Sequence, residues 1–110
     1  MQNYYDRFVQ LSLQLCLKED YADKQKLKAH NKAMTQLDKL QREMAKTDCS
    51  RVVLALLEHP EDRVRMGAAA FCIKIRIYIE KAIAVLENII DTSNDSTIIF
   101  SAKMILTHML

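Results

Sequence analysis

The sequence contains very few residues that interrupt helices. Its 110 residues include one glycine and one proline, whereas strand-rich domains need many turn residues between their strands. Residue types that favour helices, among them Leu, Ala, Met, Lys, Glu and Gln, are abundant instead. The composition therefore predicts an all-α fold, and the length predicts a single domain over residues 1–110 with one hydrophobic core.

An excess of charge of one sign is also lacking. The chain has 16 Lys and Arg against 14 Asp and Glu, and both halves mix the signs. Because nucleic acid is bound through a concentrated basic surface, we expect no direct contact with nucleic acid. No apolar run has the length of a membrane span, and the start, Met1 to Asp6, does not resemble a signal peptide. We therefore expect no membrane contact and a cytoplasmic location.

The few cysteines and histidines lack the spacing of chemical motifs. Cys16, Cys49 and Cys72 lie too far apart for a CxxC metal site and do not suggest a disulfide framework. Cys16 and Cys72 fall in apolar helical patterns, whereas Cys49, beside the predicted helix cap Ser50, is expected to be more exposed. The histidines show no metal-binding pattern, and no phosphate loop or nucleophile motif accompanies them. We expect no metal, no cofactor, no small-molecule substrate and no enzymatic activity.

Apolar residues at three- and four-residue steps predict about six helices. The predicted helices are separated by a segment at 47–50 that is rich in capping residues, by Pro60, and by a polar turn at 91–96. The predicted helices are one from Tyr4 to about Lys18, a long charged one through Leu27 and Met44, one from Val52 to about Glu58, one from about Pro60 to Ile75, one through Ile79 and Ile90, and one from Ile98 to Met109.

The same periodicity predicts the inward-facing residues. In the first helix these are Tyr5, Phe8, Val9, Leu13, Cys16 and Leu17, and in the second they are Leu27, Met34, Leu37, Leu40 and Met44. In the fourth they are Val64, Ala68, Phe71, Cys72 and Ile75, and the small residues 67–70 are expected to let a neighbouring helix approach closely.

Two polar features of the fourth helix carry structural predictions. Asp62 and Arg65 are three residues apart, a spacing at which opposite charges meet on one helix, and we expect Arg65 to help link neighbouring repeats. His59 precedes Pro60 in the turn and is expected to cap the helix rather than to act as an acid or base.

The last sixty residues repeat with a period of roughly thirty-three, the length of a stacked helical hairpin. Leu56 corresponds to Ile89, and Ala69 to Ala102. Residues 54–70 resemble a HEAT repeat, with an apolar helix, Pro in the turn, Val-Arg and paired Ala. Residues 85–110 keep the apolar and Ala positions but lack Pro and Val-Arg, as degenerate terminal repeats often do. The resemblance implies HEAT-like stacked antiparallel helical hairpins.

The whole chain is similar to a family of small bacterial HEAT-like domains of unknown function. Some small helical proteins of this kind are immunity proteins encoded beside secreted antibacterial toxins, as in contact-dependent growth inhibition. The resemblance implies a protein that binds a cognate toxin, expected to be a nuclease, and blocks its active site or substrate path. The alternative is a HEAT-like scaffold or adaptor that binds through the exposed face of the fourth and sixth helices, a face that self-association would also bury.

Stacked hairpins in parallel register bring their turns to one edge, and here those turns are acidic. Such an edge suits a basic protein surface. Carboxylates are also favoured at helix starts for the stability of the helix itself, so a purely structural explanation stands beside the functional one. The candidate partner-binding residues are Glu58, Glu61, Asp62, Asp91 and Asp95.

Overall fold

The computed structural model describes residues 3–15 and 24–110, and these residues form six α-helices with no β-strand among them. This confirms the all-α prediction and the number of helices. The helices are α1 (Tyr4–Gln14), α2 (Lys24–Ala45), α3 (Ser50–Leu57), α4 (Asp62–Ile75), α5 (Ile79–Thr92) and α6 (Ser96–His108).

Local hydrogen bonds at the helix ends explain where the boundaries differ from prediction. Leu15 is already extended, so α1 ends at Gln14, before the predicted end at Lys18, which lies outside the described residues. Ser50 is the first residue of α3 rather than its cap. The carboxylate of Asp48 accepts hydrogen bonds from both the backbone N–H and the hydroxyl of Ser50, and these bonds lower the pKa of Asp48.

The start of α4 also lies later than predicted. Pro60 belongs to the turn, and Glu61 is the N-cap residue, with an extended backbone. The Nδ1 atom of His59 accepts the N–H of Glu61 at 3.0 Å, which confirms a capping contribution of this side chain. The ring therefore helps to determine the shape of the turn before α4.

Helices α1 and α2 run antiparallel to each other, and α4 lies at the centre of the fold. The guanidinium of Arg7, near the start of α1, is 3.7 Å from the carboxylate of Glu43, near the end of α2. Helix α4 packs against α1, α3, α5 and α6, whereas α2 packs mainly on α1 and α6 packs on α5 and α4. Thus α2 and α6 are the two outer helices, and α1 and α2 form a hairpin that adds to the stack through α1.

The buried residues form one hydrophobic cluster that draws on all six helices. The inner stripe of α2 consists of Ala33, Leu37, Leu40 and Met44 at steps of four, three and four residues. Met34 was wrongly predicted to face inward, since it lies one residue off this stripe and is 47% exposed.

Similar corrections apply to α1 and to the start of α3. Leu11 and Ser12 are buried in α1, while Leu13, predicted inside, is exposed. Tyr5 is half-buried, and its ring lies 6.2 Å from that of His59 between centroids. Cys49 is buried rather than exposed, because the α2–α3 turn folds it onto the core.

The small residues of α4 do permit the close approach that was predicted, and α1 is the helix that uses it. Ala68 and Ala69 are fully buried. A methyl group added at Gly67 would lie 3.6 Å from the Phe8 ring and 3.7 Å from the hydroxyl of Ser12. The centre of α4 is thus covered on several sides, and Lys74 is its one exposed residue. The prediction that α4 contributes an exposed face for a partner is therefore wrong.

Candidate functional site

The α3–α4 turn and the α5–α6 turn lie at the same end of the structure. Arg65, in the first turns of α4, donates from Nη1 to the side-chain oxygen of Asn88 in α5 at 3.3 Å, and it also pairs with Asp62. Because α4 and α5 are joined by the short turn at 76–78, this contact between the start of one and the end of the other shows that they run antiparallel. We call the surface formed by Glu58, Glu61, Asp62, Asp91 and Asp95 the acidic edge.

Two of the five carboxylates of the acidic edge are engaged within the fold. The side chain of Asp62 is 26% exposed and pairs with Arg65, whose own side chain is 19% exposed. Asp95 is the N-cap of α6, where its carboxylate accepts the N–H of Thr97 at 2.9 Å and that of Ile98 at 3.4 Å. These two groups stabilise helix starts, so for them the structural explanation holds.

The other three carboxylates of the edge are exposed. Glu58 is the C-cap residue of α3, Glu61 is the N-cap residue of α4, and neither uses its side chain as a helix cap in the described structure. Asp91 lies in the last turn of α5, three residues after Asn88 and hence on the same side of that helix. Glu58, Glu61 and Asp91 are therefore the members of the edge that present negative charge to solvent.

Arg65 joins the two turns, and its burial gives this role physical weight. An ion pair at the surface contributes only about 0–1 kcal/mol, but this one is largely shielded and continues to Asn88 on the next hairpin. The predicted link between repeats is thus present. The spacing of Asp62 and Arg65 predicted their ion pair, whereas nothing in the sequence indicated the hydrogen bond from Arg65 to Asn88.

Arg63 ties the same end of the structure to α1, a contact that the sequence analysis missed. Its guanidinium donates to the backbone carbonyls of Leu13 at 3.3 Å and Leu15 at 3.0 Å. Carbonyl groups at a helix end have no partner within the helix, and a cation there also complements the helix dipole. The Arg63-Val64-Arg65 sequence therefore directs one cation to α1 and the other to α5.

The cysteine thiols, for which the sequence predicts no chemical role, lie away from this edge where the structure describes them. Cys49 and Cys72 are free and buried, and Cys16 lies outside the described residues. Burial raises the pKa of the Cys49 thiol, and burial reinforced by Cys49 raises the pKa of Cys72 to about 12. Neither thiol is a reactive thiolate at neutral pH.

A recess between α1 and α2 is lined by polar side chains that the sequence analysis did not single out. Leu11 lies within the lining, and Glu43 and Arg7 pair across the two helices at 3.7 Å.

Across residues 3–15 and 24–110, no group of three or more His, Cys, Asp or Glu side chains is placed to hold a metal ion. Within the same ranges, no helix has both the length and the apolar character needed to cross a bilayer.

Comparison with known families gives one result. Residues 6–109 match the family described as Domain of unknown function (DUF2019). The chain belongs to this family. The DUF2019 match covers α1 from its third residue and the other five helices completely, and it confirms the expectation of a small family of unknown function. No protein of curated function and no solved structure matches the chain.

Proposed function

We propose that this DUF2019 protein is a bacterial immunity protein, acting in the cytoplasm, that binds one cognate toxin domain and blocks its active site or substrate path. The toxin is proposed to be a nuclease. The observation that carries the proposal is the acidic edge, where two turns are joined by Arg65 and present Glu58, Glu61 and Asp91 to solvent. The protein acts by binding and not by catalysis.

Charge complementarity supports this choice of partner. A nuclease must bind the phosphate backbone, and it does so with clustered Lys and Arg side chains. An edge with three exposed carboxylates is complementary to such a surface, and charge complementarity of this kind raises the rate of association and selects against wrong partners. The edge would then cover the groups that otherwise contact the nucleic acid.

Preorganisation of the edge supports the proposal further. The first turn is held by the His59 bond to Glu61, and the second by the capping bonds of Asp95. Arg65 connects the α4 end of one turn to the α5 end of the other. A surface that is ordered before binding loses less conformational entropy in the complex, which favours tight association.

The test is a binding and rescue experiment with the toxin encoded next to this gene. The variant Glu58→Lys/Glu61→Lys/Asp91→Lys should lose protection of toxin-expressing cells and slow the association measured by surface plasmon resonance. A control with the same change in net charge is Asp6→Lys/Glu43→Lys/Glu80→Lys, which alters exposed residues at the opposite helix ends. Unchanged binding by the edge variant, or equal loss in the control, would reject the edge as the toxin-binding surface.

A scaffold or adaptor function is the second candidate, and the outer face of α6 favours it. Phe100 and Met104 on that helix are exposed and apolar. An adaptor would be recovered from its own cells with a host assembly, and its gene need not follow a toxin gene. An immunity protein would be recovered with the neighbouring toxin, and the complex would abolish the toxic activity. Affinity capture followed by a nuclease assay separates the two functions.

A further inference from the structure

The turn between α3 and α4 is held by a hydrogen bond whose acceptor is a histidine nitrogen. The backbone N–H of Glu61, the N-cap residue of α4, donates to Nδ1 of His59 at 3.0 Å. A backbone N–H is only a donor, so Nδ1 must carry a lone pair and no proton. The bond therefore requires the neutral ring, with its proton on Nε2.

At other helix starts the corresponding bonds, to an N–H two residues further on, use oxygen acceptors. Before α3 the carboxylate of Asp48 accepts the N–H of Ser50, and before α6 the hydroxyl of Ser93 accepts the N–H of Asp95. Carboxylate and hydroxyl oxygens remain acceptors between about pH 5 and pH 8, whereas histidine changes its charge in that range. Among the described helix starts, the bond before α4 is thus the one that depends on pH near neutrality.

We propose that His59 is a pH-sensitive switch within the acidic edge. Protonation of Nδ1 removes its lone pair and makes this nitrogen a donor that faces the N–H of Glu61. The hydrogen bond is then lost and the two N–H groups repel each other. Because His59 is only half-buried, protons reach the ring without unfolding of the chain.

The surroundings of His59 attract the charged ring once the bond is broken. Glu58 precedes the histidine and Glu61 follows two residues later, and both are exposed. On the α1 side the ring lies 6.2 Å from that of Tyr5 between centroids, near the distance of about 6 Å at which a cation is attracted to an aromatic face. Each protonation state of His59 therefore has its own partners, as a two-state switch requires.

The other charged groups around the turn have partners within the fold. Asp62 pairs with Arg65, and Arg63 donates to carbonyl groups at the end of α1. On α1, the carboxylate of Asp6, next to Tyr5, accepts the side-chain N–H of Asn3 at 2.8 Å. Glu58 and Glu61 are thus the carboxylates that the charged ring meets.

Protonation changes the charge and the order of the acidic edge together. A positive ring between Glu58 and Glu61 offsets part of their negative charge, and loss of the bond releases the backbone at the start of α4. A basic partner should therefore associate more slowly below neutral pH than above it. That consequence rests on the proposed function, whereas the switch itself is a property of the free chain.

Nuclear magnetic resonance of the ¹⁵N-labelled free chain tests the switch. At about pH 8, where histidine is neutral, a scalar coupling across the hydrogen bond should join the backbone nitrogen of Glu61 to Nδ1 of His59. At about pH 5 the coupling should be lost, and the Glu61 amide signal should shift with the same midpoint as the His59 ring signals. Absence of the coupling at the higher pH, or a Glu61 signal that does not follow the ring, would overturn the proposal.

His59→Asn is the matched control for the same titration. The Oδ1 atom of asparagine accepts an N–H two residues further on, and its amide does not titrate. The Glu61 amide signal of this variant should stay fixed over the range in which the wild-type signal moves. Within the wild-type chain, the Ser50 amide, held by the oxygen of Asp48, should also stay fixed. Equal shifts of Glu61 in the two chains would show that His59 is no switch, whether or not a toxin binds.

Discussion

The two outer helices of this protein, α2 and α6, pack on the core in the same way but differ on the side away from the core. Both α2 and α6 dock through a stripe of buried apolar residues. On its outer side α2 carries exposed lysines, such as Lys28 and Lys32, and the exposed ion pair of Arg42 with Asp38 at 3.1 Å. Helix α6 carries Phe100 and Met104 in the corresponding position.

The comparison separates the outer side of a terminal helix from its inner side. Burial of the inner stripe stabilises the fold in both helices, but the outer side contributes little to that stability and can serve other purposes. Charged residues on α2 keep that side in water. The apolar residues of α6 leave a surface that gains free energy when a partner covers it.

The largest expected effect tests whether the inner stripes are equivalent. Leu40→Ala on α2 and Ile98→Ala on α6 should each lower the free energy of unfolding by about 2–5 kcal/mol, because each leaves a cavity in the core. Urea denaturation followed by circular dichroism measures this, with Gln36→Ala on the exposed side of α2 as the control. A much smaller loss for Ile98→Ala would mean that α6 is docked less firmly than α2 and would break the comparison.

The next difference is expected between two polar links, one between α4 and α5 on neighbouring hairpins and one within the α1–α2 hairpin. Arg65→Ala should cost about 1–3 kcal/mol, because it removes a shielded guanidinium that joins Asp62 to Asn88. Glu43→Ala removes the exposed partner of Arg7 and should change the free energy of unfolding by no more than about 0.5–1 kcal/mol. Equal losses in the same denaturation experiment would show that exposure does not distinguish the two links.

A smaller effect should divide the acidic edge into structural and free carboxylates. Asp95→Ala removes the N-cap of α6 and should lower the free energy of unfolding by about 1 kcal/mol. Asp91→Ala, on the exposed side of α5, should change it by less than about 0.5 kcal/mol. Thermal unfolding of the two variants checks this, and a larger loss for Asp91→Ala would show that this carboxylate also stabilises the fold.

The last prediction concerns the reactivity of the buried thiols in the core between the two outer helices. It involves no change in the free energy of unfolding. Cys49 and Cys72 should react with iodoacetamide at pH 8 far more slowly in the folded protein than in urea. Their thiols are buried and the pKa of each is raised, so thiolate is scarce. Peptide mapping by mass spectrometry follows each site. Met34→Cys supplies an exposed control, and native Cys72 reacting as fast as that control would show an open core.

The helices could be predicted from the sequence because their signals are local. These signals are the apolar residues at three- and four-residue steps, the capping residue Asp95 before α6 and the scarcity of glycine. Each depends only on residues within one or two helical turns of each other. The errors arose where one residue decides the face: Met34 is exposed and Ala33 buried, although hydrophobicity alone favours the reverse. Apolar size is visible in the sequence, but the direction from which a neighbouring helix approaches is not.

The candidate site was predicted in part for the same reason. The acidic turns were visible, and the antiparallel order of short helices implied that they share an end. The sequence did not fully show which carboxylates of the edge remain available to a partner. The carboxylate of Asp62, for example, pairs with the guanidinium of Arg65, which also reaches Asn88 on another hairpin. The bonds from Arg63 to the end of α1 join residues about fifty positions apart, and no local pattern announces them.

The sequence by itself determined the all-α class, the six helices, and the acidic character of the turns, because helix propensity, apolar periodicity and capping act over a few residues. Only the tertiary structure decided that α4 is the central helix, that α1 approaches it over Gly67, and that Phe100 and Met104 of α6 stay exposed. Those features depend on which helices become neighbours, and that choice is made by the packing of all six helices around one core.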